Sequence, residues 1–229
     1  MKKTYATLPL CFLIGLVIMT GSAWLVAIIY QGFENCADVS WPVHMILPVS
    51  LMIGAIISHK AAKGRTFGYL LSYFLNALGS GCTIGALAGV KAIVMSCEVL
   101  LALLPIAGFA VVMYLLFRIP GSKWHSVVIG IFPMLSLAYL GFGIYVWIRH
   151  SSLYGSAMVF GSLFFLPFPI GCSTAQEKPE RKFRHLSFTG FGAFFVVALV
   201  AAAIMSSGEI LEGLDFGGGT GKSKNKTPK

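Results

Sequence analysis

Between Phe67 and Phe117 the chain runs for 51 residues with two formal charges, Lys91 and Glu98. Such a stretch belongs in lipid. A helix rises about 1.5 Å per residue and a hydrocarbon core is about 30 Å thick, so about 20 apolar residues cross once and this stretch is long enough to cross twice. Gly89, Val90 and Lys91 supply the turn between the two passages. The first passage carries Gly81, Gly85 and Gly89 at four-residue spacing, preceded by Gly79 and Ser80, which leaves one helical face nearly bare backbone. Such a face lets a neighbouring helix approach closely, and close packing is what associates helices where lipid removes the hydrophobic drive between them. Gly81, Gly85 and Gly89 are therefore the expected helix-packing centre.

Composition places the whole chain in the same class. It is 57% hydrophobic and 11% charged, with a mean hydropathy of +0.83, where a soluble domain has roughly 25% charged residues. A net charge of +9 would suggest nucleic acid in a soluble protein. Here the basic residues sit in short loops between apolar runs, where they orient the chain and meet anionic lipid. The expected partners are thus the lipid bilayer and other membrane subunits, with no nucleic acid. The five cysteines stand singly, without a C-x-x-C pair or zinc-type spacing, so neither a disulfide framework nor a metal finger is indicated and no cofactor is expected.

Taken in order, the apolar runs predict an all-α, polytopic transmembrane helix bundle of about seven spans in the cell membrane. They cover residues 8–30, 42–58, 67–88, 92–117, 124–148, 153–171 and 185–207, forming one membrane domain over 1–207, with a flexible Gly- and Lys-rich tail over 208–229. The first run follows Lys2 and Lys3 as a signal peptide would, but it exceeds the 7 to 15 apolar residues of one and is read as a span. With the N-terminus cytoplasmic, the inner loops hold eleven basic residues: Lys2, Lys3, Lys60, Lys63, Arg65, Arg118, Lys123, Lys178, Arg181, Lys182 and Arg184. The outer loops hold Lys91 and Arg149. That bias sets the orientation. Seven spans then put the tail outside, against the sign of Lys222, Lys224, Lys226 and Lys229.

The second, fourth and sixth runs each carry a Leu-Pro step, at Leu47-Pro48, Leu104-Pro105 and Leu166-Pro167. Proline is common in membrane helices, and in transporters broken helices also expose backbone that lines a substrate path. Pro105 is on that ground a candidate binding position. Glu98 is the one acidic residue inside any run, and an intramembrane carboxylate is a functional candidate by default, catalytic or binding. It lies close enough to the outer turn to pair with Lys91. Asn76 is the other candidate binding group, with interhelical hydrogen bonding as its commoner use.

The histidines fall at span edges, His59, His125 and His185 with Cys172 on the inner side, and their spacing demands no metal. Cys82 and Cys97 stand at similar depth on either side of the central turn. Gly217 to Ser223 imitates a phosphate-binding loop, but Phe216 occupies its first glycine position and no strand precedes it. The Pro-bearing second run and glycine-rich third loosely resemble the lysoplasmalogenase-type membrane family. The acids that resemblance implies near Gly79 and Ser80 are missing, and no family follows from it. Scarcity of catalytic groups favours a non-enzymatic membrane protein, a small permease or a membrane subunit of a larger assembly. The alternatives are a lipid-modifying enzyme using Glu98 with His44 or His150, and a scaffold or immunity-type protein.

Overall fold

The computed structural model describes residues 2–32, 41–90, 97–118, 123–150, 153–166, 168–169, 181–188, 190–192, 194–196 and 198. These form seven helices, α1 (Lys2–Gln31), α2 (Trp41–His44), α3 (Ile46–Ala61), α4 (Thr66–Val90), α5 (Cys97–Arg118), α6 (Lys123–His150) and α7 (Leu153–Phe165). Helical residues within 181–198 make up a terminal segment. No strand occurs among the described residues. Five stretches are long and apolar enough to cross a membrane: Thr7–Gln31, Pro42–Ala61, Thr66–Gly89, Leu100–Arg118 and Ile129–Arg149. The protein is therefore an all-helical bundle with membrane-spanning character.

The prolines explain where helices falter. Pro48 has no N–H to give the carbonyl four residues back, and its ring crowds that carbonyl. The helix tightens there, with the Met45 N–H donating to the Pro42 carbonyl at 3.1 Å, and α2 is set off from α3. In the sixth apolar run, expected to continue to Gly171, α7 stops at Phe165 and Leu166 forms a turn. Leu166 precedes Pro167, a position that disfavours helical backbone. At 13 residues α7 spans about 20 Å, short of a hydrocarbon core. The basic stretch expected as a loop up to Arg184 is helical from residue 181. Arginine and lysine are good helix formers, so charge there does not preclude a helix.

Close contacts fix how the helices run. Along α1 and α4, Gly15 meets Tyr73, Met19 meets Gly81, Ala23 meets Gly85 and Tyr30 meets Gly89, so the two are parallel. Gly54 of α3 faces Leu75 while the Pro48 carbonyl faces Gly79, so α3 runs against α4. Gly190 lies on Tyr73 and Asn76 and Phe194 lies on Gly79, which sets the terminal segment parallel to α4. On the other side of α1, α5 packs with α6 and α7. Tyr139 O–H of α6 donates to the Ala102 carbonyl of α5 at 2.6 Å, and Gly155 of α7 abuts the Trp147 backbone of α6.

An aromatic core joins the two halves. Phe12 of α1 is fully buried, with its ring centroid 4.9 Å from those of Phe165 and Phe168 in edge-on geometry. Tyr73 of α4 stacks on Phe164 at 5.6 Å. Edge-on and offset pairs of this kind add about 0.5–1.5 kcal/mol beyond the area they bury. The helices differ sharply in burial: 67% of the spanning window of α4 is buried, against 22% for that of α2 and α3 and 17% for that of α6. α4 is the central helix, and α3 and α6 present apolar faces outward.

Candidate functional site

α4 carries two adjacent rows at i, i+4 spacing. Gly81, Gly85 and Gly89 form the first, and a methyl at any of them would collide with α1: with the Ser22 hydroxyl and Met19 carbonyl, with the Ala23 carbonyl, and with the Tyr30 Cβ. Ser72, Asn76 and Ser80 form the second, one residue behind and so turned by about 100° from the first. This second row faces α3 and the terminal segment. All three polar side chains are fully buried, as is Thr83 beyond them.

Some of these groups are satisfied. Ser187 of the terminal segment donates its O–H to Ser72 Oγ at 2.7 Å, and His59 Nδ1 lies 2.8 Å from Ser187 Oγ. His59 Nδ1, Ser187 and Ser72 thus form one hydrogen-bonded chain from the end of α3 to the row. Thr83 bonds back to the Gly79 carbonyl at 2.9 Å. Deeper in the row the accounting fails. Both amide atoms of Asn76 and the hydroxyls of Ser80 and Tyr73 are buried with no hydrogen-bond partner among the described residues. A buried polar group left unpaired costs about 1–3 kcal/mol, and in native proteins each such group calls for a water, a ligand or another reason.

At the end of the row where Ser72 meets Ser187 and His59, the bundle holds a cationic cup. Its cavity of about 560 Å³ is lined by His59, Lys60 and Lys63 from the end of α3 and the turn after it, Gly64 and Tyr69 leading into α4, and Arg181 and Arg184 from the terminal segment. No carboxylate is among these. The turn is built in left-handed backbone, with φ 42° at Lys63 and 90° at Gly64. Glycine adopts that conformation freely and lysine rarely does. The Gly64 N–H donates to the Tyr69 hydroxyl at 3.3 Å. The His59 ring sits edge-on to Tyr69 and Phe191, with centroids at 5.2 and 5.8 Å. His59 therefore ties α3, α4 and the terminal segment together at the floor of the cup.

The structure does not gather the residues singled out in the sequence. Asn76 is sealed in the polar row. Pro105 lies on the exposed side of α5, away from that row. Glu98 is the second residue of α5, and its side chain, like Lys91 and the Cys97 side chain, lies outside the described residues. Cys82 is buried beside Val26 and Ala86. At the opposite end of the bundle from the cup, His44 Nδ1 is 3.1 Å from the Tyr30 hydroxyl, and His185 is exposed near the cup. His125 and Cys172 lie outside the described side chains.

Sequence reasoning missed Ser72, Ser80, Tyr69 and Ser187 as site residues. The four-residue spacing of Ser72, Asn76 and Ser80 was a usable signal. The meeting of Ser187 with Ser72 across 115 positions was not. No family model, curated protein or solved structure matches this chain.

Proposed function

We propose that the protein is a multi-pass membrane protein without chemistry of its own, a small permease or the membrane subunit of a larger assembly, whose polar guest moves along the Ser72–Asn76–Ser80 row. The N-terminus lies on the cytoplasmic side in this reading, together with the cup, and the setting is the cell membrane. One observation carries the proposal: Asn76, in the most buried spanning helix, keeps both amide atoms unpartnered among the described residues. Polar groups at membrane depth are expensive and mark solute paths. The reading is supported by the link from the charged cavity through His59 and Ser187 to Ser72, from which donors and acceptors continue inward one helical turn apart. Its partners are the bilayer and, within an assembly, other membrane subunits against the outward faces of α3 and α6.

The test is thiol accessibility. With the five native cysteines replaced, Ser80→Cys is introduced and treated in sealed vesicles with a small anionic methanethiosulfonate added from one side at a time. Modification from the cytoplasmic side, slowed by a bulky side chain in Asn76→Leu, is the expected result. A thiol inert from both sides in vesicles, yet reactive once the protein is denatured, overturns the path.

A further inference from the structure

We infer that the cationic cup is a binding site for a phosphate-bearing molecule, with a phosphate monoester as the recognised group. The inference deepens the reading above, resting on it for the membrane setting but not for passage along the row.

Basic residues are expected on one side of any membrane protein. Their convergence is not. Like charges on separate segments repel, and nothing in the orientation rule brings residues 60–63 against residues 181–184. Here they share one cavity because His59 is bonded to Ser187 and wedged between Tyr69 and Phe191. The result is four cationic side chains, Lys60, Lys63, Arg181 and Arg184, around about 560 Å³, with no carboxylate among the described residues of the wall.

The donors suit phosphate in particular. Two guanidinium groups offer planar forks that match phosphate oxygens, and two ammonium groups add compact charge. Tyr69 accepts from the Gly64 N–H, which leaves its own proton to give to a ligand oxygen. Lys63 reaches the wall from left-handed backbone, a strain that proteins keep where a site needs it. The volume lies in the range of small-molecule pockets and exceeds what a bare inorganic ion fills. The ligand is therefore a soluble organic phosphate monoester or the headgroup of phosphatidic acid, which present the same chemistry.

The experiment titrates glycerol 3-phosphate into the full chain held in nanodiscs of phosphatidylcholine, by calorimetry, with glycerol as the uncharged comparison. Wild type should bind the phosphate and not glycerol. The double variant Arg181→Gln, Arg184→Gln should bind about tenfold or more weakly, as loss of charge-assisted hydrogen bonds requires. Arg184→Lys, which keeps the charge and removes a fork, should fall between them and guards against a misfolded double variant. Repeating the titration in discs containing phosphatidic acid separates the sources. Loss of glycerol 3-phosphate binding there identifies a lipid headgroup as the occupant, and unchanged binding identifies a soluble phosphate.

Two results overturn the inference. One is no binding in phosphatidylcholine discs together with no phosphatidic acid retained on the purified protein by native mass spectrometry. The other is an equal weakening by Arg65→Gln, since Arg65 lies at the same end but lines a neighbouring groove instead of the cup, and that equality would reduce the effect to general surface charge. Failure at the cup leaves the Ser80→Cys result standing, and an inert Ser80→Cys leaves the phosphate titration standing.

Discussion

Gly85→Ala tests the claim that bare backbone holds α4 to α1. A Cβ built at Gly85 would sit 2.8 Å from the Val26 Cβ and 3.0 Å from the Ala23 Cα, with the Ala23 carbonyl closer still. Carbon atoms pack at about 3.5–4.0 Å. Two of these neighbours are backbone atoms of a helix and cannot rotate away, so α1 must retreat by roughly 0.5–1 Å. A gap of that size forfeits about a quarter to a half of the dispersion well of each contact it opens, and overpacking of this kind costs about 1–3 kcal/mol. The upper part of that range applies, because the rigid neighbour is backbone and the interface runs the length of both helices. For a chain of this size about 2–3 kcal/mol corresponds to roughly 4–12 °C of midpoint.

The assay is thermal or SDS-induced unfolding in mixed micelles followed by circular dichroism, with Gly108→Ala and Gly141→Ala as controls. Both control glycines are helical and a Cβ at either meets nothing within 4 Å. The controls should be neutral or gain up to about 1 kcal/mol from the better helix former. Gly81→Ala combined with Gly85→Ala should cost less than the sum of the two, since helices already parted by one methyl make room for the next. A Gly85→Ala variant as stable as Gly108→Ala would refute the reasoning.

Three other perturbations separate the parts of the site. Asn76→Leu should raise stability by about 1–3 kcal/mol in guest-free protein, by removing an amide with no partner, and a loss of stability in the same unfolding assay would show that the amide is satisfied. Ser187→Ala should cost about 1–3 kcal/mol, because it strands both His59 and Ser72, and the cycle with Ser72→Ala should show a coupling of about 0.5–3 kcal/mol; additive costs would dissolve the network. Lys63→Asn replaces a residue strained at φ 42° with one that tolerates left-handed backbone, so stability should rise by up to about 1 kcal/mol while glycerol 3-phosphate binding weakens, and parallel movement of the two would remove the link between strain and site.

Much of the bundle was legible because membrane-spanning length leaves few options. The runs at 8–30, 67–88, 92–117 and 124–148 lie within α1, α4 and, save their first residues at 92–96, α5 and α6. Glycine spacing marked the face of α4 that the backbone of α1 now covers, since a helix places every fourth residue on nearly one side. The break after Phe165 was harder, although Leu166-Pro167 carried it: a proline step ends one helix and merely bends another, and tertiary contacts decide which. The cup was not legible at all as a site. Its charges read as orientation signals, which each of them separately is. The contacts of His59 with Ser187, Tyr69 and Phe191 turn two separate runs of cations into one cavity.

α4 explains why rigidity and polarity occur together in this chain. A row of unpaired polar groups would be squeezed shut or flooded if its helix could shift, since small displacements open or close hydrogen-bonding distance. The glycine row opposes such shifts, because backbone-to-backbone contact with α1 leaves no flexible side chain to absorb movement. Tyr73 links the two functions: its ring belongs to the aromatic core with Phe164 and Phe168, and its hydroxyl reaches Gly15 of α1. On the polar side the counterpart is soft. The terminal segment meets Asn76 and Gly79 through Gly190 and through the far edge of the Phe194 ring, and a ring edge can rotate where backbone cannot. Any motion that admits a guest to the row is therefore expected on the side of the terminal segment, whose first turns carry Arg181 and Arg184.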